Sequence, residues 1–244
     1  MFNLPVVTKN LIIINILVFL GDIVAAKYGI SLDQYLGLHF VMSDFFNVFQ
    51  PFTYMFMHGG FSHLFFNMFA LFMFGPVLEQ TWGGQKYLFY YLACGVGAGI
   101  VQEFAIGVHF YYLQAGMPAE AIEIVMREGG NIWSQYKNFS DLNMGALNMA
   151  LNTTTVGASG AIYGILLAFG MLFPNTQMFV FPLPMPIKAK YFVIGYALLE
   201  LYLGISNNVS DNVAHFAHLG GMLFGFIMIV YWRKKGRWHG TNNF

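Results

Sequence analysis

The chain has 244 residues, of which 57% are apolar and only 9% are charged, and its mean hydropathy is +0.59. A soluble domain carries about 25% charged residues, so this composition excludes a soluble globular protein and predicts a polytopic membrane protein. The formal net charge is zero, which argues against a nucleic-acid partner. Cys94 is the only cysteine, so neither an internal disulfide nor a cysteine-based metal site is expected.

Six segments are long and apolar enough to be predicted as membrane spans. A transmembrane helix needs about 20 mostly apolar residues, with a usable range of about 17–25. The predicted spans cover about residues 11–26, 62–78, 87–106, 158–173, 191–206 and 213–232. The first lacks the flanking pattern of a signal peptide and is expected to be a retained helix. No internal repeat is evident, so residues 1–244 are expected to form one all-α membrane domain.

The distribution of basic residues predicts the orientation of these spans. Six spans put both termini on one side of the membrane. Eight of the 11 lysine and arginine residues lie on that side, and only Lys27, Arg127 and Lys137 lie on the other. Because basic residues concentrate on the cytoplasmic side, both termini are expected in the cytoplasm. The pattern fits a bacterial inner membrane.

Two outer connections are unusually long. The first, residues 27–60, is rich in aromatic residues and is expected to lie at the membrane interface. The second, residues 107–156, contains a predicted amphipathic helix from Pro118 to Glu128 that is expected to stop at Gly129-Gly130. Loops of this length are either functional or disordered, and the sequence leaves both interpretations open.

The second span carries polar residues at helical spacing. The chain leads into it through His58-Gly-Gly-Phe-Ser-His63 and continues to Asn67. His63 and Asn67 are four residues apart and share one helical face, whereas His58 lies toward the helix entrance. Hydrogen bonding between helices is one explanation. An aligned histidine and asparagine also supply two donors, as an oxyanion hole requires.

The fourth span begins with Gly157-Ala-Ser159-Gly160. Tyr163 lies one turn from Ser159 on the same face, where its ring can brace a catalytic partner. Gly160 and Gly164 form a ridge of small residues that allows another helix to approach closely. Close packing alone would explain all of these small residues, including Ser159.

The sixth span contains His215-Phe-Ala-His218, followed by a second ridge formed by Gly221 and Gly225. Two glycine ridges give these helices a physical reason to touch. A serine becomes a useful nucleophile when a neighbouring base takes its proton, so Ser159 and His218 are the predicted nucleophile and base. His215 is expected to be a polar neighbour of the base.

No acidic third member of a catalytic triad is evident. Glu200 in the fifth span and Glu103 in the third carry carboxylates, but neither has a spacing that ties it to His218. A Ser–His dyad is therefore predicted. The backbone N–H of Ser159 is a third candidate oxyanion donor, because the first turn of a helix leaves such groups unpaired.

Taken in order, these motifs resemble those of the rhomboid family of intramembrane serine proteases. The string His58-Gly-Gly-Phe-Ser-His63-Leu-Phe-Phe-Asn67 is similar to the family's HxxxxHxxxN element. Gly157-Ala-Ser159-Gly160 is similar to its GxSG motif, and Ala217-His218-Leu-Gly-Gly221 to its AHxxG motif. The resemblance covers about residues 50–231 and implies a six-transmembrane-helix rhomboid-like bundle with a long interfacial first loop.

The resemblance assigns a role to each site residue. It implies that Ser159 is the nucleophile and His218 the general base, with His63 and Asn67 lining the oxyanion hole. Tyr163 is expected to pack against the His218 ring.

Tyr163, Gly157 and His58 are supporting residues by the same resemblance. Gly157 and His58 belong to the motifs themselves. Glu79 resembles a family residue that tethers the first long loop, although Gln80 stands where the family often has arginine.

The implied substrates are single-span membrane proteins in the lipid bilayer, and neither a metal nor an organic cofactor is expected. A membrane helix satisfies its own carbonyl groups, so a substrate must unwind before a peptide bond is attacked. Residues 206–211 and the outer end of the fifth span are candidate gates for substrate and water.

Three other interpretations stay open. An inactive relative would bind membrane clients without cutting them, although Ser159 and His218 are both intact. A membrane metal site would use the four histidines His58, His63, His215 and His218, but no carboxylate stands beside the first two. A transporter would show inverted-repeat symmetry, which the sequence lacks.

Overall fold

A computed structural model describes residues 4–179, 185–206 and 214–236 of the chain. Its regular structure is almost entirely helical, which confirms the predicted all-α class. Of the candidate gate at residues 206–211, only Ser206 lies within the described residues. The elements in chain order are α1 (Val6–Lys27), α2 (Leu32–Leu36), α3 (Gln50–Thr53), a 3-10 turn (Tyr54–Phe56), α4 (Phe61–Trp82), α5 (Gly84–Gln114), α6 (Ala119–Ser134), α7 (Leu142–Asn152), α8 (Ser159–Leu172), β1 (Gln177–Met178), β2 (Ile187–Lys188), α9 (Ala189–Ser206) and α10 (His215–Lys234).

Five helices in the described part of the chain are long and apolar enough to cross a membrane, namely α1, α4, α5, α9 and α10. The helix at the predicted fourth span, α8, is shorter than these five helices, because it has only 14 residues. At about 1.5 Å per residue it is about 21 Å long, against a hydrocarbon core about 30 Å thick. Ten of its residues are buried, and it packs against α4, α5, α9 and α10. Protein therefore surrounds α8 on most sides.

An extended segment, residues 153–158, leads the chain into α8. Leu38 and Thr155 exchange two backbone hydrogen bonds of 2.9 and 2.8 Å, and the N–H of Gly157 donates to the Tyr54 carbonyl at 3.0 Å. These bonds fasten the segment to the first outer connection. Non-helical backbone inside a membrane needs partners for its polar groups, and this pairing supplies partners for part of the segment.

The glycines of α8 and α10 bring these two helices into backbone contact. A Cβ added at Gly221 would lie 1.8 Å from the carbonyl oxygen of Gly160. A Cβ at Gly164 would lie 3.1 Å from the Gly221 carbonyl oxygen and 2.6 Å from Cys94 Sγ. The predicted close approach of the two glycine ridges is confirmed, and it determines how near side chains on α8 and α10 can come.

The first outer connection is partly embedded in the protein. Leu38, Phe40 and Met55 are buried, and Met55 fills the space beside Gly95 of α5. Tyr35 and Phe49 are exposed, as expected of residues that rest in the headgroup region. The connection therefore has an inner face that packs into the core and an exposed outer face. That the outer face lies at the membrane interface stays a prediction.

The second outer connection is an ordered helical unit, which answers the question that the sequence left open. Helix α5 continues beyond the predicted end of the third span to Gln114, and α6 and α7 follow it. A separate hydrophobic cluster joins these helices to the first connection, and its buried members are Phe40, Phe110, Val125, Leu147 and Leu151.

The predicted helix stop at Gly129-Gly130 is wrong, because α6 continues through both glycines to Ser134. A Cβ at Gly129 would lie 2.2 Å from Asn148 Oδ1 of α7, and one at Gly130 would lie 3.1 Å from Asp44 Oδ2. These glycines allow close packing within a helix, and tertiary contacts override their tendency to end one.

Glu79 does not tether the first long loop as expected. Its carboxylate accepts the backbone N–H groups of Val7 and Thr8 at 2.9 and 2.7 Å, and the Thr8 hydroxyl at 2.8 Å. The first N–H groups of a helix lack internal acceptors, and a negative charge there also complements the helix dipole. Glu79 therefore caps α1 from the end of α4, at the opposite end of that helix from the outer connection.

The glycine contact between α8 and α10 leads to a stability prediction. We expect Gly221→Ala to lower the thermal unfolding midpoint of the detergent-solubilised protein, because the added methyl group overlaps the Gly160 carbonyl. Overpacking of a close contact typically costs about 1–3 kcal/mol. The matched control is Gly195→Ala in α9, where an added Cβ meets nothing within 4 Å. Equal midpoints for the two variants would contradict the backbone contact.

Candidate active site

Ser159 and His218 are within hydrogen-bonding distance, although 59 residues separate them in the chain. The His218 Nε2 atom lies 2.9 Å from Ser159 Oγ. Ser159 is the first residue of α8 and His218 lies in the first turn of α10. The glycine contact lies one residue after Ser159 and three residues after His218, so it holds the two helix ends side by side. His218 is 7% exposed and Ser159 is half-buried, which leaves the hydroxyl as the more accessible partner.

Gly157 creates the turn that presents Ser159. Its φ of +131° is a backbone conformation that residues with a Cβ rarely adopt. A Cβ at this residue would lie 2.8 Å from both Cε1 and Nε2 of His63, and 3.5 Å from Ser159 Oγ. The missing side chain thus lets the edge of the His63 ring approach the backbone just before the serine.

Asn67 is buried and hydrogen-bonded within its own helix. Its side-chain nitrogen donates to the backbone carbonyl of His63, four residues earlier, at 2.8 Å. An amide nitrogen has two N–H groups, so this bond leaves a second donor. The structure brings His63 next to the serine-bearing segment, and it holds Asn67 one turn deeper on the same face of α4.

His58 packs against His63 from the linker before α4. The two ring centroids are 5.1 Å apart with an interplanar angle of 66°, and His58 is only 2% exposed. Burial, together with the neighbouring His63 ring, lowers the pKa of His58 to about 4. His58 is therefore neutral at physiological pH, and it supports the His63 ring through an edge contact.

Tyr163 stacks on the base. Its ring lies parallel to the His218 imidazole, with centroids 4.1 Å apart and an interplanar angle of 8°. This packing agrees with the expected contact, and it limits rotation of the imidazole. The Tyr163 hydroxyl reaches past the ring and donates a hydrogen bond to Glu200 Oε1.

A carboxylate stands beside His218, contrary to the expectation that no acid is tied to it. Glu200 Oε2 lies 2.9 Å from His218 Nδ1 and 2.6 Å from His215 Nδ1. Spacing along one helix does not report contacts between helices, which is why sequence reasoning missed this residue. An ionisable residue inside an apolar span was the available signal. Glu103, the other acid considered, accepts the backbone N–H of Val41 instead.

His215 is a neighbour of His218, as predicted, and Glu200 connects the two rings. Their centroids are 6.3 Å apart and nearly perpendicular, at 89°. Among the described residues, Glu200, His215 and His218 are the set whose potential metal-ligand atoms lie together, all within 4.8 Å. Two ligands of a tetrahedral zinc are about 3.3 Å apart. The N–O separations of 2.6 and 2.9 Å are shorter and correspond to direct contacts between the carboxylate and the two imidazole rings.

The chain is similar in sequence to members of one known protein family. Residues 46–122 and 124–235 match the family model described as Rhomboid domain. The rhomboid protease AarA of Providencia stuartii is 27% identical over 180 residues, which cover 72% of this chain and 53% of AarA. An uncharacterized mitochondrial rhomboid protein of Schizosaccharomyces pombe is 25% identical over 206 residues, which cover 74% of this chain and 50% of that protein.

The chain thus spans about half the length of these curated relatives. The family model covers most of the chain, including all the elements that carry the candidate site. The chain therefore belongs to the rhomboid family.

Proposed function

We propose that this chain forms one membrane domain that acts as an intramembrane serine endopeptidase and cleaves the transmembrane segments of single-span membrane proteins. The observation that carries the proposal is the 2.9 Å contact between Ser159 Oγ and His218 Nε2, between two apolar helices. Hydrolysis of a peptide bond requires a nucleophile, a base and stabilisation of the developing oxyanion. The site supplies residues for each of these tasks without a cofactor.

In the acylation step, His218 Nε2 takes the proton of Ser159 as Oγ bonds to the scissile carbonyl carbon. The tetrahedral intermediate collapses when the C–N bond breaks and His218 gives the proton to the leaving amine. The product is an ester on Ser159. Water then attacks this ester with His218 again as the base, which releases the second fragment and restores the serine.

Three donors are proposed for the oxyanion hole. The His63 ring lies against Gly157, two residues before the nucleophile, so its Nε2 is near the point where a carbonyl oxygen would sit. Asn67 supplies its remaining N–H group from the next turn of α4. The backbone N–H of Ser159 belongs to the first turn of α8, where no carbonyl of that helix accepts it.

The proposed orientation puts both termini in the cytoplasm, and the proposed location is a bacterial inner membrane. The basic residues at the start of α5, at the start of α9 and at the end of α10 support this assignment. Substrates then enter from the bilayer and meet Ser159 in the outer half of the membrane. The outer end of α9 is the proposed gate for substrate and water.

The pair Ser159–His218 leads to a labelling prediction. We expect the detergent-solubilised wild type to react covalently with a fluorophosphonate probe, which requires an activated serine. Ser159→Ala should abolish labelling and His218→Ala should reduce it to background, both without loss of the folded state. Full labelling in either variant would refute the pair. A folded wild type that never labels would favour an inactive relative that binds membrane clients.

The oxyanion assignment predicts a smaller effect. Asn67→Ala and His63→Ala should each slow labelling by about 10²–10³-fold, the usual effect of removing one such donor. The matched control is Asn15→Ala in α1, because Asn15 is buried and also donates to the carbonyl four residues earlier, at 2.7 Å. If Asn15→Ala slows labelling as much as Asn67→Ala, Asn67 has only a structural role.

The orientation can be tested by cysteine accessibility in intact bacterial cells. Tyr136 in the second outer connection is 95% exposed, Lys235 after α10 is exposed, and the native Cys94 is fully buried. A membrane-impermeant maleimide should label Tyr136→Cys directly. It should label Lys235→Cys only after the cells are permeabilised. The reverse pattern would contradict cytoplasmic termini.

A further inference from the structure

The side chain of Glu200 is buried, and each of its described polar partners is a residue of the candidate site or touches one. It is 5% exposed and lies in α9. Oε1 accepts the hydroxyl of Tyr163, whose ring stacks on His218, and Oε2 contacts both His215 and His218. Burying a carboxylate in an apolar helix is costly unless its oxygens are paired, and here both are.

The contact with His218 involves the ring nitrogen that does not face the serine. Nε2 lies 2.9 Å from Ser159 Oγ, and Nδ1 lies 2.9 Å from Glu200 Oε2. The carboxylate approaches Nδ1 obliquely, outside the angle of a good hydrogen bond, so the interaction is chiefly electrostatic. An ionised carboxylate only accepts, so it favours the tautomer with the proton on Nδ1. Nε2 then carries the lone pair that must accept the serine proton.

The same carboxylate acts again after proton transfer. When His218 takes the proton of Ser159, both ring nitrogens carry hydrogen and the imidazole becomes a cation. Glu200 then faces this cation at ion-pair distance in a site from which water is largely excluded. Charge stabilisation in such surroundings is larger than in water. His215 and Tyr163 hold the two carboxylate oxygens in place for this role.

We infer that Glu200 is a positioning residue of the active site, which makes the catalytic unit Ser159–His218–Glu200 and not a dyad. The inference rests on the proposed protease function. The inferred role of Glu200 differs from that of a structural hydrogen bond between helices in one respect. A structural contact needs only a hydrogen-bond acceptor of the right shape, whereas tautomer selection and cation stabilisation need the negative charge.

The test compares two substitutions that separate charge from shape. Glu200→Gln keeps the shape and removes the charge, whereas Glu200→Asp keeps the charge and shortens the side chain. For Glu200→Gln, we expect the maximal rate of inactivation by the fluorophosphonate probe to fall by about 10²–10⁴-fold. The probe concentration that gives half of the maximal rate should change little. The equivalent amide substitution in a soluble serine protease costs about 10⁴-fold. Glu200→Asp should label faster than Glu200→Gln.

The reverse order, or equal labelling of Glu200→Gln and wild type, would overturn the inference and leave Glu200 a structural contact. The matched control is Glu103→Gln, another carboxylate in a spanning helix, whose backbone partner lies in the first outer connection. It should label like the wild type. If the wild type itself does not label, the proposed function fails, and that outcome is distinct from failure of the Glu200 role.

A second variant keeps the test decisive if Glu200→Gln does not fold. Tyr163→Phe retains the ring that stacks on His218 and removes only the donor to Glu200 Oε1. We expect labelling to slow by about two- to tenfold at an unchanged thermal midpoint, because the carboxylate is less well oriented. An unchanged labelling rate in this variant would overturn the inference.

Discussion

The contact between Gly160 and Gly221 is the constraint on which the site depends. Two helix backbones touch there with no side chain between them, and a single added methyl group would overlap a carbonyl oxygen. Ser159 precedes the contact by one residue and His218 by three, so the separation of nucleophile and base follows from the separation of the two backbones. In lipid, no hydrophobic force draws helices together, and close van der Waals packing of small residues replaces it.

The same lack of water determines how the buried carboxylates are used. Glu79 accepts three donors and fixes the start of α1 on the end of α4, whereas Glu200 contacts three donors around the base. Neither has an exposed face through which water can solvate it fully, since they are 7% and 5% exposed. One buried charge stabilises the scaffold and the other is aimed at a ring that must become a cation. The two carboxylates differ in role because Glu79 binds the N–H groups at the start of a helix, whereas Glu200 contacts imidazole rings.

Much of the bundle and the core of the site were predictable from the sequence, because helical period and motif order are local properties. The spans and the glycine ridges belong to this class, whereas the pairing of Ser159 with His218 was expected from motif order and the family resemblance. Other contacts between distant elements were not predictable. Glu200 of α9 contacts His218 of α10, and Glu79 caps the first helix of the chain. Gly129 packs against α7, although a helix stop was expected there. The predicted fourth span, residues 158–173, differs from α8 by only one residue at each end.

The shortness of α8 has a consequence for the products of the proposed reaction. Ser159 is the first of only 14 helical residues, so in the proposed orientation, with the other end of α8 at the inner surface, it lies below the outer surface. A substrate helix cut level with Ser159 keeps about as many membrane residues on its inner side as α8 has. That number is below the about 17–25 residues that a spanning helix needs. The fragment can no longer cross the bilayer as a stable helix, so the depth of the serine couples bond cleavage to loss of membrane anchorage.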